Sequence, residues 1–201
     1  MNKNLKFKVL IPALCIGILG STYLEKLVKN KLMQRMYGDH PTIVETIPVE
    51  ISIEGKQKVL NVPVYDENSV PENHCSKYAR LAAKSLFGLT YSPADAWNRK
   101  YCDKVVAKLS EKNSLEELVK EGTLKQGMIV GIYNPKSLYN FSRDQSGNPI
   151  EYTHVALYLG TNLTEGLVLV HKYGKKTKVL SDREIKEMGL VPKYVFSPKQ
   201  N

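Results

Sequence analysis

Asn73-His74-Cys75-Ser76-Lys77-Tyr78-Ala79-Arg80-Leu81-Ala82-Ala83 is the stretch whose reading decides the fold. The turn signal Val70-Pro71-Glu72-Asn73 precedes it and delivers a cysteine to the first turn of a helix. From Cys75 the small or apolar residues return at Tyr78, Ala79, Ala82, Ala83 and Leu86, the spacing of one buried helical face, and Gly88 stops the helix after Phe87. Cys75 therefore heads a core-packed helix, at the positive end of its dipole. That position favours the thiolate, and the thiolate is the nucleophile.

Working outward, two histidines fall on strands far downstream. His154 lies in Tyr152-Thr153-His154-Val155-Ala156-Leu157-Tyr158-Leu159-Gly160, and His171 ends the apolar run Leu167-Val168-Leu169-Val170. Alternation puts His154, Ala156 and Tyr158 on one face, and Leu167, Leu169, His171 and Tyr173 on one face of the next strand. A hairpin at Gly160-Thr161-Asn162 would bring both histidines to one end of the sheet. If the Cys75 helix packs across that face, its N-terminus meets His154. His154 is then the general base that takes the thiol proton, and His171 orients the imidazole. The backbone N–H of Cys75 is a candidate oxyanion donor. His74 and Ser76, flanking the cysteine, are the candidate substrate contacts, although His74 reads better as the residue that turns the chain than as a second oxyanion contact. The competing structural reading is a Cys75–Cys102 disulfide.

The order of elements is helices first, then an antiparallel sheet, which means an α+β fold. A β-hairpin is expected over 43–65, where Val49, Ile51 and Ile53 alternate with polar residues and Gly55-Lys56-Gln57 turns the chain. Pro63 places the second strand at an edge, or itself near that strand's end. A helix is expected from Ser92-Pro93, carrying Trp97, Tyr101, Val105 and Leu109 on one face, and a short one from Ser114 with Glu117 as its capping-box partner. Strands are expected over 127–133, 152–159, 167–173 and 193–196, and a short helix over 182–188. The loop Lys136 to Ile150 is a candidate wall of a cleft.

With 201 residues, 42% of them hydrophobic and 24% charged, the chain suits one compact domain plus an appendage, not a disordered polymer. Three cysteines (Cys15, Cys75, Cys102) are too few for a disulfide scaffold, and no metal-ligand spacing occurs. The formal charge of +9 suits a lysine-rich soluble surface or attraction to an anionic one. No nucleic-acid-binding motif accompanies it. Lys3, Lys6 and Lys8 precede an apolar run from Val9 to Leu24, the layout of a signal peptide or membrane anchor, and Tyr23 to Met36 continues it as a juxtamembrane helix. The chain divides on this reading into 1–36 (signal or anchor), 37–70 (hairpin and linker) and 71–201 (catalytic domain). Export or membrane tethering is expected.

The order Cys-headed helix, Gly-led strand, His154-Val155-Ala156-Leu157-Tyr158-Leu159-Gly160, then a polar residue on the following strand, resembles the NlpC-like cysteine peptidases of the papain-like group. The resemblance covers roughly Asn73 to Tyr173. It implies a papain-like core in which Cys75 matches the nucleophile, His154 the base and His171 the orienting position. It further implies cofactor-free hydrolysis of amide bonds in the peptide stems of bacterial peptidoglycan. The chain departs from the family pattern at His74, where Asp is usual, at Lys77, where a Gly is usual soon after the cysteine, and at Met128, where the central strand usually opens Gly-Asp. Relatives with this core include amidases, transferases and lipid-modifying acyl enzymes, and a catalytically silent wall-binding module is the alternative from another class.

Overall fold

A computed structural model describes residues 41–53, 55–110 and 113–199. The apolar segment 9–24, the juxtamembrane helix and any anchor they form lie outside the described residues. Among the described residues, no helix is long and apolar enough to cross a membrane.

Eight strands and four α-helices make up this part of the chain. They are β1 (Ile43–Ile53), β2 (Lys56–Tyr65), α1 (Cys75–Phe87), α2 (Arg99–Cys102), β3 (Lys104–Lys108), α3 (Leu115–Lys120), β4 (Ile129–Tyr133), β5 (His154–Asn162), β6 (Gly166–Tyr173), β7 (Lys176–Ser181), α4 (Asp182–Glu187) and β8 (Val191–Ser197). All strand pairs are antiparallel. The order is β2-β1-β5-β4-β8-β3, with β6 on β5 and β7 on β6. The fold is therefore α+β around one antiparallel sheet.

The first hairpin forms as its alternation requires: Val49 and Ile51 are buried while Glu50 is exposed, and Gly55 turns the chain at φ +77°. β2 lies at the end of the sheet, where the missing amide hydrogen of Pro63 costs no ladder bond. The hairpin is part of the main sheet and core. β1 bridges β5 at Ser52–Thr161, and Val49, Ile51, Leu60 and Val62 share a core with α1.

α1 buries the face carrying Tyr78, Ala79, Ala82 and Ala83 against Val155, Leu157 and Leu159 of β5 and Val168 and Val170 of β6. Small residues on the helix let it approach the sheet closely. Its C-terminus closes on Gly88 at φ +69°, whose N–H donates to the Lys84 carbonyl, while the Leu89 N–H donates to the Ala83 carbonyl. The opposite face of the sheet carries Ala156, Tyr158, Leu167 and Leu169, covered by Leu115 and Leu118 of α3 and Ile185 of α4. α3 and α4 are short, and each begins with a capping box, Ser114 with Glu117 and Ser181 with Glu184.

Two expectations fail. No helix runs from Ser92 to Leu109. The segment has a 3₁₀ turn at Ala96–Asn98, the single turn α2, and then β3, with Val105 40% exposed on an edge strand paired to β8. Lys104-Val105-Val106-Ala107-Lys108 carries adjacent β-branched residues, so its strand preference prevails over the four-residue spacing of Trp97, Tyr101, Val105 and Leu109. The β5–β6 turn also falls later, at Leu163 to Glu165. β7 is an additional strand, reached through Gly174 at φ +58°.

Arg99, the first residue of α2, fastens this irregular segment to the start of α1. It is fully buried and pairs with the equally buried Asp103 at 2.6 Å. Its Nε donates to Ser76 Oγ at 3.0 Å and its Nη2 to the Ser76 carbonyl at 3.0 Å, while Ser76 Oγ donates to the Ala94 carbonyl. Replacing only Arg99 leaves a buried, unpaired carboxylate, so Arg99→Met should cost about 3–5 kcal/mol in chemical denaturation. The double change Arg99→Met with Asp103→Leu should recover most of that loss.

Candidate functional site

α1 begins at Cys75 because the chain turns sharply just before it. Asn73 holds φ +61°, in the left-handed region that few non-glycine residues occupy, and its N–H donates to the Gly174 carbonyl at 3.3 Å. His74 then precedes the helix without a side-chain cap, and the first turn of α1 carries no acidic residue. The backbone N–H groups of Cys75 and Ser76 therefore serve the cysteine sulfur.

Cys75 and His154 line one cavity of about 270 Å³. Asn73, Thr153, Lys172 and Tyr173 complete one side of it, and Asn134 with Lys136 to Tyr139 form the other. The loop after β4 thus supplies a wall, as its composition suggests. It is pinned further along, where Asp144 accepts from Tyr101 Oη at 2.5 Å and pairs with Lys100 at 3.0 Å. Trp97, half-buried against the main core, packs on Tyr139 of that wall with ring centres 5.4 Å apart.

Behind the cavity, His154 Nε2 and His171 Nδ1 lie 2.5 Å apart with their rings nearly perpendicular. One nitrogen donates and the other accepts, so the contact selects complementary tautomers. With Nε2 engaged, Nδ1 is the nitrogen of His154 left to serve the cavity. His171 is completely buried, and its Nε2 has no hydrogen-bond partner.

The helix does not reach His154 in the expected way. Ala156 and Tyr158, which alternate with His154, belong to the face under α3 and α4, whereas α1 packs on the Val155 face. Cysteine and histidine share a cavity because each is the first residue of its element, Cys75 of α1 and His154 of β5. Among the described residues, no hydrogen bond joins the thiol to either imidazole.

The electrostatics also depart from expectation. Burial pushes the Cys75 thiol up to about 11, against the opposing pull of the Val155 backbone amide, the Arg99 guanidinium and the N–H groups of the first turn. Burial likewise presses His154 down to about 3, helped by His171, and His171 down to about 4, helped by the Lys178 ammonium. Desolvation outweighs the helix terminus. The site therefore holds a neutral thiol beside neutral imidazoles.

Cys75 and Cys102 are both free thiols, which removes the disulfide reading. Ser76 has no part in the cavity, because its hydroxyl is committed to Ala94 and Arg99. His74 is half-buried and is not among the residues lining the cavity. Two residues had no place in the site as read from sequence. Lys172 follows Val168 and Val170 at the same parity on β6, a visible sign of a lysine on the α1 face. Arg99 has no comparable signal, since its partner at Ser76 lies 23 positions away. Among the described residues, no cluster of three or more His, Cys, Asp or Glu could hold a metal ion. Family models, curated proteins and solved structures offer no match to this chain.

Both imidazoles titrate below their unfolded value, so the unfolded chain binds more protons from about pH 6.5 downward. Their contribution to stability is complete above pH 6.5 and is lost as pH falls. The thermal midpoint should drop between pH 6.5 and 5, above the range where carboxylates titrate. The double variant His154→Gln, His171→Gln should flatten that segment of a calorimetric pH series.

Proposed function

We propose that this chain is a thiol hydrolase that cleaves amide bonds, with Cys75 as nucleophile and His154 as base, and that its substrates are the stem peptides of peptidoglycan. The observation that carries the reading is the 2.5 Å contact between His154 and His171 beside a cavity that Cys75 also lines. A buried histidine pair opening on a cysteine at a helix start is the minimum set for thiol acyl transfer.

In the proposed reaction His154 Nδ1 takes the thiol proton as the sulfur attacks the carbonyl carbon. His154 Nε2–H donates to His171 Nδ1 in that state, which leaves Nδ1 unprotonated and aimed at its task. The tetrahedral oxyanion is met by the backbone N–H of Cys75. His154 returns the proton to the leaving amine, giving a thioester and a free amine. Water, deprotonated by the same imidazole, then hydrolyses the thioester and restores the thiol. His171 is the positioning residue. We further propose that residues 9–24 export or tether the protein, which places it on the side of the membrane where peptidoglycan lies. An amidase or acyltransferase on another substrate uses the same steps.

The neutral resting pair dictates how reactivity varies with pH. Proton transfer within the pair leaves the proton count unchanged, so the fraction carrying thiolate is constant while both groups are neutral in sum. Alkylation of Cys75 by iodoacetamide should therefore be flat from about pH 5 to 9. A free small-molecule thiol in the same solution should instead rise about tenfold per pH unit toward the ordinary thiol range near 8.5. His154→Ala should abolish the plateau and reduce release of stem peptides from sacculi by about 10²–10⁴-fold. His171→Ala should lower turnover while leaving the far-ultraviolet circular dichroism unchanged.

Two observations favour a second reading, a catalytically silent binding module: the raised thiol and, among the described residues, the lack of a thiol–imidazole hydrogen bond. That reading predicts a Cys75 alkylation profile climbing steeply to high pH, insensitive to His154→Ala, together with retention of the protein on sacculi that it does not digest.

A further inference from the structure

The mechanism above leaves one buried charge in the cavity unused. Lys172 is only 2% exposed and lines the cavity with Cys75 and His154. No carboxylate lies within ion-pair distance of it among the described residues, and its ammonium makes no side-chain hydrogen bond. The carboxylates it senses are Glu67, Glu72 and Asp66. Glu67 is paired with Lys175 at 3.7 Å, and Asp66 accepts the Ser69 backbone N–H at 2.7 Å. Burial lowers the Lys172 pKa from 10.5, and those three carboxylates oppose the shift.

A buried ammonium without a partner is costly, and such a site gains most when an anion arrives. The surroundings add to the attraction. The first turn of α1 has no acidic residue, and Lys136 also lines the cavity. No Asp or Glu lines the cavity.

We infer that Lys172 forms an anion subsite beside the Cys75 sulfur, and that the substrates of this site carry a carboxylate within a few bonds of the carbonyl attacked. This rests on Cys75 being the nucleophile. Lys172 takes no part in bond making; it selects and places the substrate.

Two alkylating agents of similar size test this on the full chain, because iodoacetate is an anion and iodoacetamide is neutral. Each reacts with the thiolate, so the ratio of their rates at one cysteine cancels the thiolate fraction. Rates at neutral pH are read by peptide mapping, with Cys102 on the same molecule reporting the general field of a basic protein. The iodoacetate-to-iodoacetamide ratio at Cys75 should exceed that at Cys102 by about tenfold or more, the effect of roughly 1.4 kcal/mol from one close charge. Lys172→Met should bring the Cys75 ratio down to the Cys102 value, and Lys172→Arg should preserve it. On the unaltered protein, sodium acetate should protect Cys75 from iodoacetamide in a saturable way and leave Cys102 unprotected.

Equal ratios at the two cysteines, or a Lys172→Met ratio still as high as that of the unaltered chain, overturn the subsite while Cys75 stays a nucleophile. If neither reagent alkylates Cys75, the nucleophile itself is overturned and the subsite falls with it.

Discussion

Strand β5 is buried from His154 through Gly160, and this constraint governs the chemistry of the protein. A strand packed between two layers can carry an imidazole only if the ring finds a partner inside the fold. His154 finds it in His171, on the neighbouring strand β6. The sheet order makes that meeting possible, because β6 pairs with β5 through Leu157–Val170 and brings the two rings together just beyond the last paired residues. Without the buried hairpin, each histidine would be a hydrated, independently titrating side chain.

The same burial sets the character of the thiol. A helix start, a backbone amide and a guanidinium all favour the thiolate at Cys75, and desolvation exceeds their sum. The thiol is therefore held protonated beside two imidazoles that burial keeps neutral. Arg99 belongs to this design from beneath. It is a cation with no access to water, held by Asp103, and it grips Ser76, the residue next to Cys75.

Much of this was readable from the chain. The α1 spacing, its Gly88 stop, the 43–65 hairpin and the Ser114–Glu117 capping box are local patterns whose energetics involve residues within a few positions of one another. They appear where expected. The 92–109 segment shows where local reading breaks down. A four-residue spacing of large apolar groups suggested a helix, yet the pull of Asp103 toward Arg99 and Ser92 and the pairing of β3 with β8 prevailed. β8 lies almost 90 residues downstream, and no window on the sequence contains both partners.

By itself, then, the sequence determined an α+β chain with a cysteine at the start of a core helix and histidines on two strands. These follow from periodicity, turn chemistry and side-chain alternation, which act over a few residues. The tertiary structure alone decided which sheet face α1 covers, that His154 and His171 touch, that Arg99 sits under Ser76, and that Lys172 borders the cavity without a partner. It also decided that the thiol is held protonated. Each of these depends on how much water is excluded and on which distant groups approach, quantities that arise only when the layers close.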